Sequence, residues 1–269
     1  MTAPEYERVV ICGPQSLFDN FRERLTRNQS AVRVRPYLGR LGRRLMGKLE
    51  ESSELNAADE LVRSWNSFSS EIASAYMKTC GYPAESSKKI LVDILKSHSN
   101  GRRLSILDLG CGNGQLYEYF KEQKFSCGYT GVDFSGPLLE AARTALKDDP
   151  NARFIQDDVD QLSNVEGQYD FAVYSHVIEM IASPESSLLK ARKLTKGTII
   201  RFFEPPEFEN DTIELRHMEV GDGKEVPYIR RKMSRDYYWL ILHKMGCTHI
   251  DIYRDKYSKD QVHVLHYNS

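Results

Sequence analysis

Three glycines at alternate positions, Gly110, Gly112 and Gly114, follow the apolar run Ile106–Leu109 and precede a helical segment. A backbone without Cβ atoms turns tightly there and lets a ligand approach, while the first amides of the next helix point at it. Strand, glycine turn and helix together mark a nucleotide-binding half of a doubly wound sheet. The spacing discriminates among nucleotides. A dinucleotide fingerprint needs Gly or Ala at position 115, where Gln115 stands. Roughly twenty residues further on, Asp133 ends a second apolar run, where this architecture holds an acid for ribose hydroxyls. A carboxylate accepts from both hydroxyls of a cis-diol at once. The bland alternative is an acid that caps the helix after Ser135. His176 is the first candidate for a general base, because an ordinary imidazole titrates close to working pH. It serves equally as a group that orients the ligand or packs under it. Glu179, one helical turn on, either holds that imidazole or makes an ordinary helix-start contact. As metal ligands, His176 and Glu179 lack a third partner in the sequence, so no metal is expected.

These residues need elements to position them. From about residue 103, short apolar strands alternate with helical segments, the sign of a parallel sheet with crossover helices. The pattern predicts strands at Ser105–Gly110, Tyr129–Phe134, Ala152–Asp157, Phe171–Ser175 and Gly197–Phe203, with helices at Gly136–Leu146 and Ser186–Leu194. A further helix, Ser234–Lys244, ends at a glycine stop, Met245-Gly246. Two closing strands follow, His249–Arg254 and Gln261–Tyr267, joined by a segment short enough for a hairpin. Near the start, Arg8–Cys12 reads as a short strand and Leu17–Leu25 as a helix. After the fifth strand, Thr212–Val220 and Glu225–Arg231 flank Gly-Asp-Gly at 221–223, a strong hairpin signal. There are no internal repeats and no low-complexity tract.

Four segments in order resemble the motifs of the class I S-adenosylmethionine-dependent methyltransferases, small-molecule branch. Asp108-Leu109-Gly110-Cys111-Gly112-Asn113-Gly114 resembles motif I, and Val132-Asp133-Phe134-Ser135 with the helix after it resembles motif II. Phe154-Ile155-Gln156-Asp157-Asp158-Val159 resembles motif III. Tyr169-Asp170-Phe171 through His176-Val177-Ile178-Glu179 resembles motif IV, with Met180 in place of the family's second histidine. The resemblance covers roughly residues 60–269. It implies an α/β, doubly wound, Rossmann-like mixed sheet of seven strands, five parallel plus a C-terminal hairpin. An N-terminal extension, 1–60, would precede a methyltransferase domain, 61–269, carrying an inserted hairpin lid at 211–233.

The resemblance also implies S-adenosyl-L-methionine as methyl donor and S-adenosyl-L-homocysteine as product. Asp108 would sit near the methionine part, with Gly110, Cys111, Gly112, Asn113 and Gly114 as the loop beneath it. Asp133 would hold the ribose and Phe134 flank the adenine. Asp158, or its neighbour Asp157, would accept from the adenine amino group, beside Val159. The end of the fourth strand faces the transferring methyl group, so Tyr174, Ser175 and His176 are expected to line the reaction centre. Amino-methylating DNA enzymes place Asn/Asp-Pro-Pro-aromatic at that point, and this chain has Ser175-His176-Val177-Ile178. Glu204-Pro205-Pro206-Glu207-Phe208 follows the fifth strand and is a decoy. No Pro-Cys nucleophile follows the fourth strand, which argues against cytosine C5 methylation.

The acceptor is less sharply written. Trp65, Phe68 and Tyr76 recur at helical spacing ahead of motif I, as core packing or as part of a substrate pocket. Glu204 and the inserted hairpin, with Arg216, His217, Tyr228, Arg230 and Arg231, would overhang the site. Arginines there could clamp a carboxylate or phosphate, which leans toward a small anionic or zwitterionic metabolite. The rival class rests on Phe21–Lys48, which holds nine basic residues against one acid. That segment reads first as a structural arm or homodimer element, then as a lid, and third as a contact for tRNA or rRNA. A third class is a catalytically silent protein that keeps only the cofactor site.

Composition sets outer bounds. A net charge of −1, with 28% charged and 41% hydrophobic residues, is ordinary for a globular protein and unlike a surface built for polyanions. No run is long enough to span a bilayer, and no secretory signal is apparent. Five scattered cysteines without a C-x-x-C pair favour reduced thiols. The expectation is a cytoplasmic biosynthetic enzyme that methylates oxygen or nitrogen of a small molecule, natural-product tailoring included.

Overall fold

The structure, a computed structural model, describes residues 6–12, 85–147, 149–181, 183–219 and 225–267. The side chains at 11, 12, 85, 213, 215–219 and 225–229 lie outside the described residues as well. The elements run β1 (Tyr6–Cys12), α1 (Glu85–Ser99), β2 (Leu104–Leu109), α2 (Gln115–Glu122), β3 (Cys127–Asp133), α3 (Gly136–Ala145), β4 (Ala152–Gln156) and β5 (Tyr169–Ser175). They continue with α4 (Pro184–Leu194), β6 (Thr195–Phe202), β7 (Thr212–Glu219), β8 (Glu225–Lys232), α5 (Arg235–Lys244), β9 (Cys247–Asp255) and β10 (Gln261–Tyr267).

Eight strands form one sheet in the order β1-β9-β10-β6-β5-β2-β3-β4. β2 to β6 run parallel, as the crossover pattern requires, and β10 enters antiparallel between β6 and β9. The expected sheet had seven strands. The eighth is β1, whose residues pair antiparallel with β9 from Tyr6–Asp255 to Cys12–His249. Sequence shows the short β1 but not its partner, which lies at the other end of the chain.

Alternation along the strands supplies two cores, one for each face of the sheet. On one face Leu91 and Leu95 of α1, Phe120 of α2 and Leu139 of α3 bury against Tyr129, Val173, Ile199 and Val264. On the other, Leu188 of α4 and Ile241 and Leu242 of α5 bury against Leu107, Tyr174, Ile200 and Leu265. Local chemistry sets the helix ends. Ser135 accepts from the Leu138 amide to open α3, and Ser234 accepts from Tyr237 to open α5. β7 and β8 pair only with each other, Thr212 with Lys232 through Glu219 with Glu225, as a hairpin outside the main sheet. Its turn, with Gly221–Gly223, lies outside the described residues, as do Leu17–Leu25 and Phe21–Lys48.

Candidate functional site

The glycine loop leaves β2 at the carboxyl end of the parallel strands, the side where such sheets bind ligands. Gly110, Gly112 and Gly114 all have positive φ, +75°, +55° and +81°, a conformation that costs other residues strain. A Cβ on Gly110 would run into the side chain of Val177, 2.9 Å from its Cβ. The loop therefore touches the segment that carries His176. Gly131 in β3 matters equally, because a Cβ there would stand 2.7 Å from Cys111 Sγ. Its bareness lets Cys111 tuck in, and Cys111 and Asn113 are both buried. Burial pushes the Cys111 thiol well up, so it stays protonated.

Asp133 ties the loop to β3. Its two oxygens accept from the amides of Gly112 and Ser135, each at 2.9 Å. The helix cap is the Ser135 hydroxyl, so Asp133 is not the cap. It is buried, and burial raises its pKa against the pull of the backbone amides. Each carboxylate oxygen keeps lone-pair capacity for a diol. Asp108, behind the loop, is 1% exposed and accepts from Tyr129 Oη at 2.5 Å. Its other oxygen is buried with no hydrogen-bond partner among the described residues. Burial pushes Asp108 up to about 7. An orphaned buried acceptor beside a glycine loop fits an amine-bearing ligand.

The structure separates the two acids of motif III. Asp157 is buried and spends both oxygens on the backbone, accepting from Asp158 N at 2.8 Å and Asn164 N at 2.6 Å. It shapes the turn. Asp158 is exposed, with one oxygen accepting from Asp160 N, and is the acid that faces out. Val159 turns its side chain into the core, and its carbonyl accepts from Ser187. Phe134 is half-buried beside α3, where its carbonyl accepts from Gln156.

Tyr174 likewise turns into the core. It is fully buried, and its hydroxyl meets Ser187 Oγ at 2.9 Å on the α4 side of the sheet. Successive residues of a strand face opposite sides, so Tyr174 and Ser175 cannot both line one cavity. Ser175 takes the site side, accepting from Arg201 Nη1 at 2.7 Å.

His176 has a left-handed backbone, φ +60°, uncommon for a residue with a side chain. Its amide donates to the Arg201 carbonyl, and its Nε2 meets Asp260 Oδ2 at 2.8 Å. Burial, then the nearby Arg201, lowers its pKa to about 4. The ring is neutral at neutral pH, so Nε2 donates to the carboxylate and Nδ1 keeps the lone pair. Asp260 also accepts from Ser87 Oγ at 2.6 Å and lies 3.6 Å from Arg201 Nε. Burial raises its pKa, but His176, Ser87 and Arg201 outweigh that and hold it below the usual range. Arg201 is 2% exposed, and burial lowers it to about 10, so it remains charged.

Glu179 does not hold the imidazole. It is fully buried, and Oε1 accepts from the amides of Phe203 at 2.7 Å and Glu204 at 3.1 Å. Its burial raises its pKa, with the Glu204 amide and Arg230 acting the other way. It shapes the turn after β6. That turn presents Phe203, 44% exposed, with the His176 ring edge-on at 5.4 Å and the Arg230 guanidinium over its face at 4.6 Å. Glu204 is half-buried on the same turn. Arg231 turns instead to Asp211 and the Tyr237 ring. Trp65, Phe68 and Tyr76 lie outside the described residues, as do the side chains of Arg216, His217 and Tyr228.

Sequence reasoning missed Asp260, Arg201, Ser87 and Phe203. One signal was available: an arginine inside the apolar strand expected at Gly197–Phe203 must find buried partners.

With this geometry, the chain meets known proteins. Residues 106–196 match the family model of a methyltransferase domain. The malonyl-[acyl-carrier protein] O-methyltransferase of Priestia megaterium is 26% identical over 135 residues, 50% of this chain and 48% of that protein. The mitochondrial ubiquinone biosynthesis O-methyltransferase of Candida albicans is 29% identical over 184 residues, 59% of this chain and 55% of that one. The chain spans about half the length of the curated relatives it matches. Among solved structures, the Burkholderia thailandensis 1,6-didemethyltoxoflavin-N1-methyltransferase superposes with a TM-score of 0.56 at 20% identity. It covers 79% of this chain and 91% of its own, and was solved with 1,6-didemethyltoxoflavin and S-adenosylhomocysteine bound. The fold is that of the class I S-adenosylmethionine-dependent methyltransferases. Residues 106–196 carry the match to a methyltransferase domain within that fold.

Proposed function

We propose that this protein transfers the methyl group of S-adenosylmethionine to an oxygen or nitrogen of a small anionic or zwitterionic metabolite. The observation that carries the reading is the seating of the glycine loop against Val177, which sets His176 beside the place where that loop holds its ligand. The buried orphan oxygen of Asp108, the bare glycine backbone and the Asp133 carboxylate suit the amine, the close approach and the ribose diol of this cofactor. The Burkholderia neighbour, solved with S-adenosylhomocysteine, supports the same assignment.

When bound, the cofactor supplies a methyl group on a good leaving group, so alignment and exclusion of water do much of the work. Asp260 fixes the His176 tautomer, which leaves Nδ1 as the proton acceptor. An imidazole of pKa about 4 is a weak base. It suffices for an acceptor whose proton becomes acidic as methylation places positive charge on the oxygen or nitrogen. Arg230, over the Phe203 ring, supplies positive charge and Glu204, half-buried on the same turn, a carboxylate, a pairing that fits a zwitterion.

Calorimetry with S-adenosylmethionine, followed by an acceptor screen with labelled methyl donor, tests both halves. Saturable binding and label on small hydroxyl- or amine-bearing acids support the reading. Absence of cofactor binding overturns it, and label on RNA with a steep salt dependence transfers it to the nucleic-acid class. No helix among the described residues is long and apolar enough to cross a membrane.

A further inference from the structure

A second cluster of chemically capable side chains lies at the opposite end of the sheet. β10 starts beside the site, where Gln261 pairs with Phe202, and runs away from it to Leu265 opposite Thr198. His266 therefore stands five residues beyond Gln261, about 17 Å along the strand. Register places it directly opposite His249 on β9. The two imidazoles stack face to face, 4.0 Å between centroids and 4° between planes. Asp251, two residues past His249 and on the same side, reaches His266 Nε2 with Oδ2 at 3.1 Å. No sequence spacing reveals this trio, because residues 249, 251 and 266 meet only through the antiparallel register.

We propose that His249, Asp251 and His266 form a binding site for a divalent transition metal of the zinc class, clasping β9 to β10. One ligand atom from each lies within 4.8 Å of the others. Zinc–nitrogen and zinc–oxygen bonds of about 2.0–2.2 Å put tetrahedral ligands some 3.3 Å apart, a contraction within the reach of side-chain rotation. One observation beyond the ligand distances points to an ion. Asp251 is 4% exposed, yet Oδ1 is buried with no hydrogen-bond partner among the described residues. Arg8 donates to Oδ2 at 3.1 Å, which leaves Oδ1 for the ion. The two imidazole planes are parallel, so their in-plane lone pairs converge on one ion only after a ring turns about its side-chain torsions. Two nitrogens and one carboxylate select zinc, cobalt or nickel over magnesium or calcium, which prefer all-oxygen shells. At the end of α1 the His98 ring lies 5.9 Å from that of His266. Because the site is remote from the glycine loop, its role is to staple the β1–β9–β10 edge.

The full chain, stripped with chelator, is titrated with zinc by calorimetry and with cobalt by visible absorption. The expected result is one equivalent bound, a tetrahedral cobalt spectrum without thiolate charge transfer, and a higher unfolding midpoint. Where changes around a metal site cost about 10–100-fold in affinity, loss of two direct ligands in His249→Gln/His266→Gln should cost about 100-fold or more. S-adenosylmethionine binding by that double variant should be unchanged. Should the variant not fold, histidine acylation of the native chain mapped by mass spectrometry decides instead: zinc protects His249 and His266 specifically. No zinc bound, equal binding by the folded double variant, or equal labelling with and without zinc would each overturn the proposal.

Discussion

The two halves of the candidate site are built in different ways. The cofactor half is local: Gly112 and Asp133 are 21 residues apart, and Asp133 and Ser135 only two. It works through backbone shape, with three left-handed glycines and one carboxylate that braces them. The acceptor half is assembled from afar. His176 and Asp260 are 84 residues apart, Arg201 and Ser87 are 114, and Ser87 and Asp260 are 173. It works through buried charge, one cation and one anion around a neutral imidazole. A shape-based half should fail abruptly when touched, whereas a charge-based half should shift its titration and lose rate by degrees.

The largest effect is expected at Gly110. An alanine there combines a left-handed backbone, a strain of about 1–3 kcal/mol, with a methyl group driven into Val177. Cofactor affinity should fall beyond about 100-fold in calorimetry. Near-normal binding by Gly110→Ala would show that the loop is not held by shape. Asp133→Ala comes next. It removes acceptors for two backbone amides as well as the diol contact. At about 1.5–3 kcal/mol for a hydrogen bond to a charged group, the loss should be about 10–150-fold in affinity. Equal binding by wild type and variant would remove the ribose assignment.

The acceptor half is probed by pH. His176 titrates at about 4, so as a base it is active above that value and protonated below it. The acid limb of kcat/KM should therefore fall near pH 4 rather than at the ordinary 6.5. Asp260 raises the His176 pKa by hydrogen bond and charge, and Arg201 lowers it. Asp260→Asn leaves Arg201 in command, so the limb should move further to acid while the plateau drops about tenfold or more. That loss is a fraction of the ~10²–10⁴ that a positioned base supplies. A limb that stays in place would reduce His176 to a packing residue.

The same contrast explains what could be read from sequence. The glycine loop and Asp133 were legible because neighbouring residues impose their own geometry, whatever the rest of the chain does. That the central strands run parallel followed from alternation of strand and helix. Asp260 was invisible because it reaches His176 only through the pairing of β10 with β6, Gln261 against Phe202. The place of β1 in the sheet was hidden for the same reason, its pairing with β9 spanning nearly the whole chain. Glu179 misled in a different way. Helical spacing placed it one turn from His176, but the chain after β5 turns so that its carboxylate receives the Phe203 and Glu204 amides.

Tyr174 offers the mildest test and bears on the boundary between the halves. Motif position put it at the reaction centre, and strand alternation puts it in the core, where its hydroxyl meets Ser187 and Ser187 in turn meets the Val159 carbonyl. Tyr174→Phe deletes one buried hydrogen bond and no volume of consequence. The cost should be about 1 kcal/mol. For a domain of this size that lowers the unfolding midpoint by about 2–4 °C. Turnover and its pH profile should stay as in the wild type, since no atom of the site moves its charge. A variant of normal stability but reduced kcat would place the hydroxyl among the reacting groups. It would mean that β5 turns both Tyr174 and Ser175 toward the methyl group, against the alternation that built the sheet.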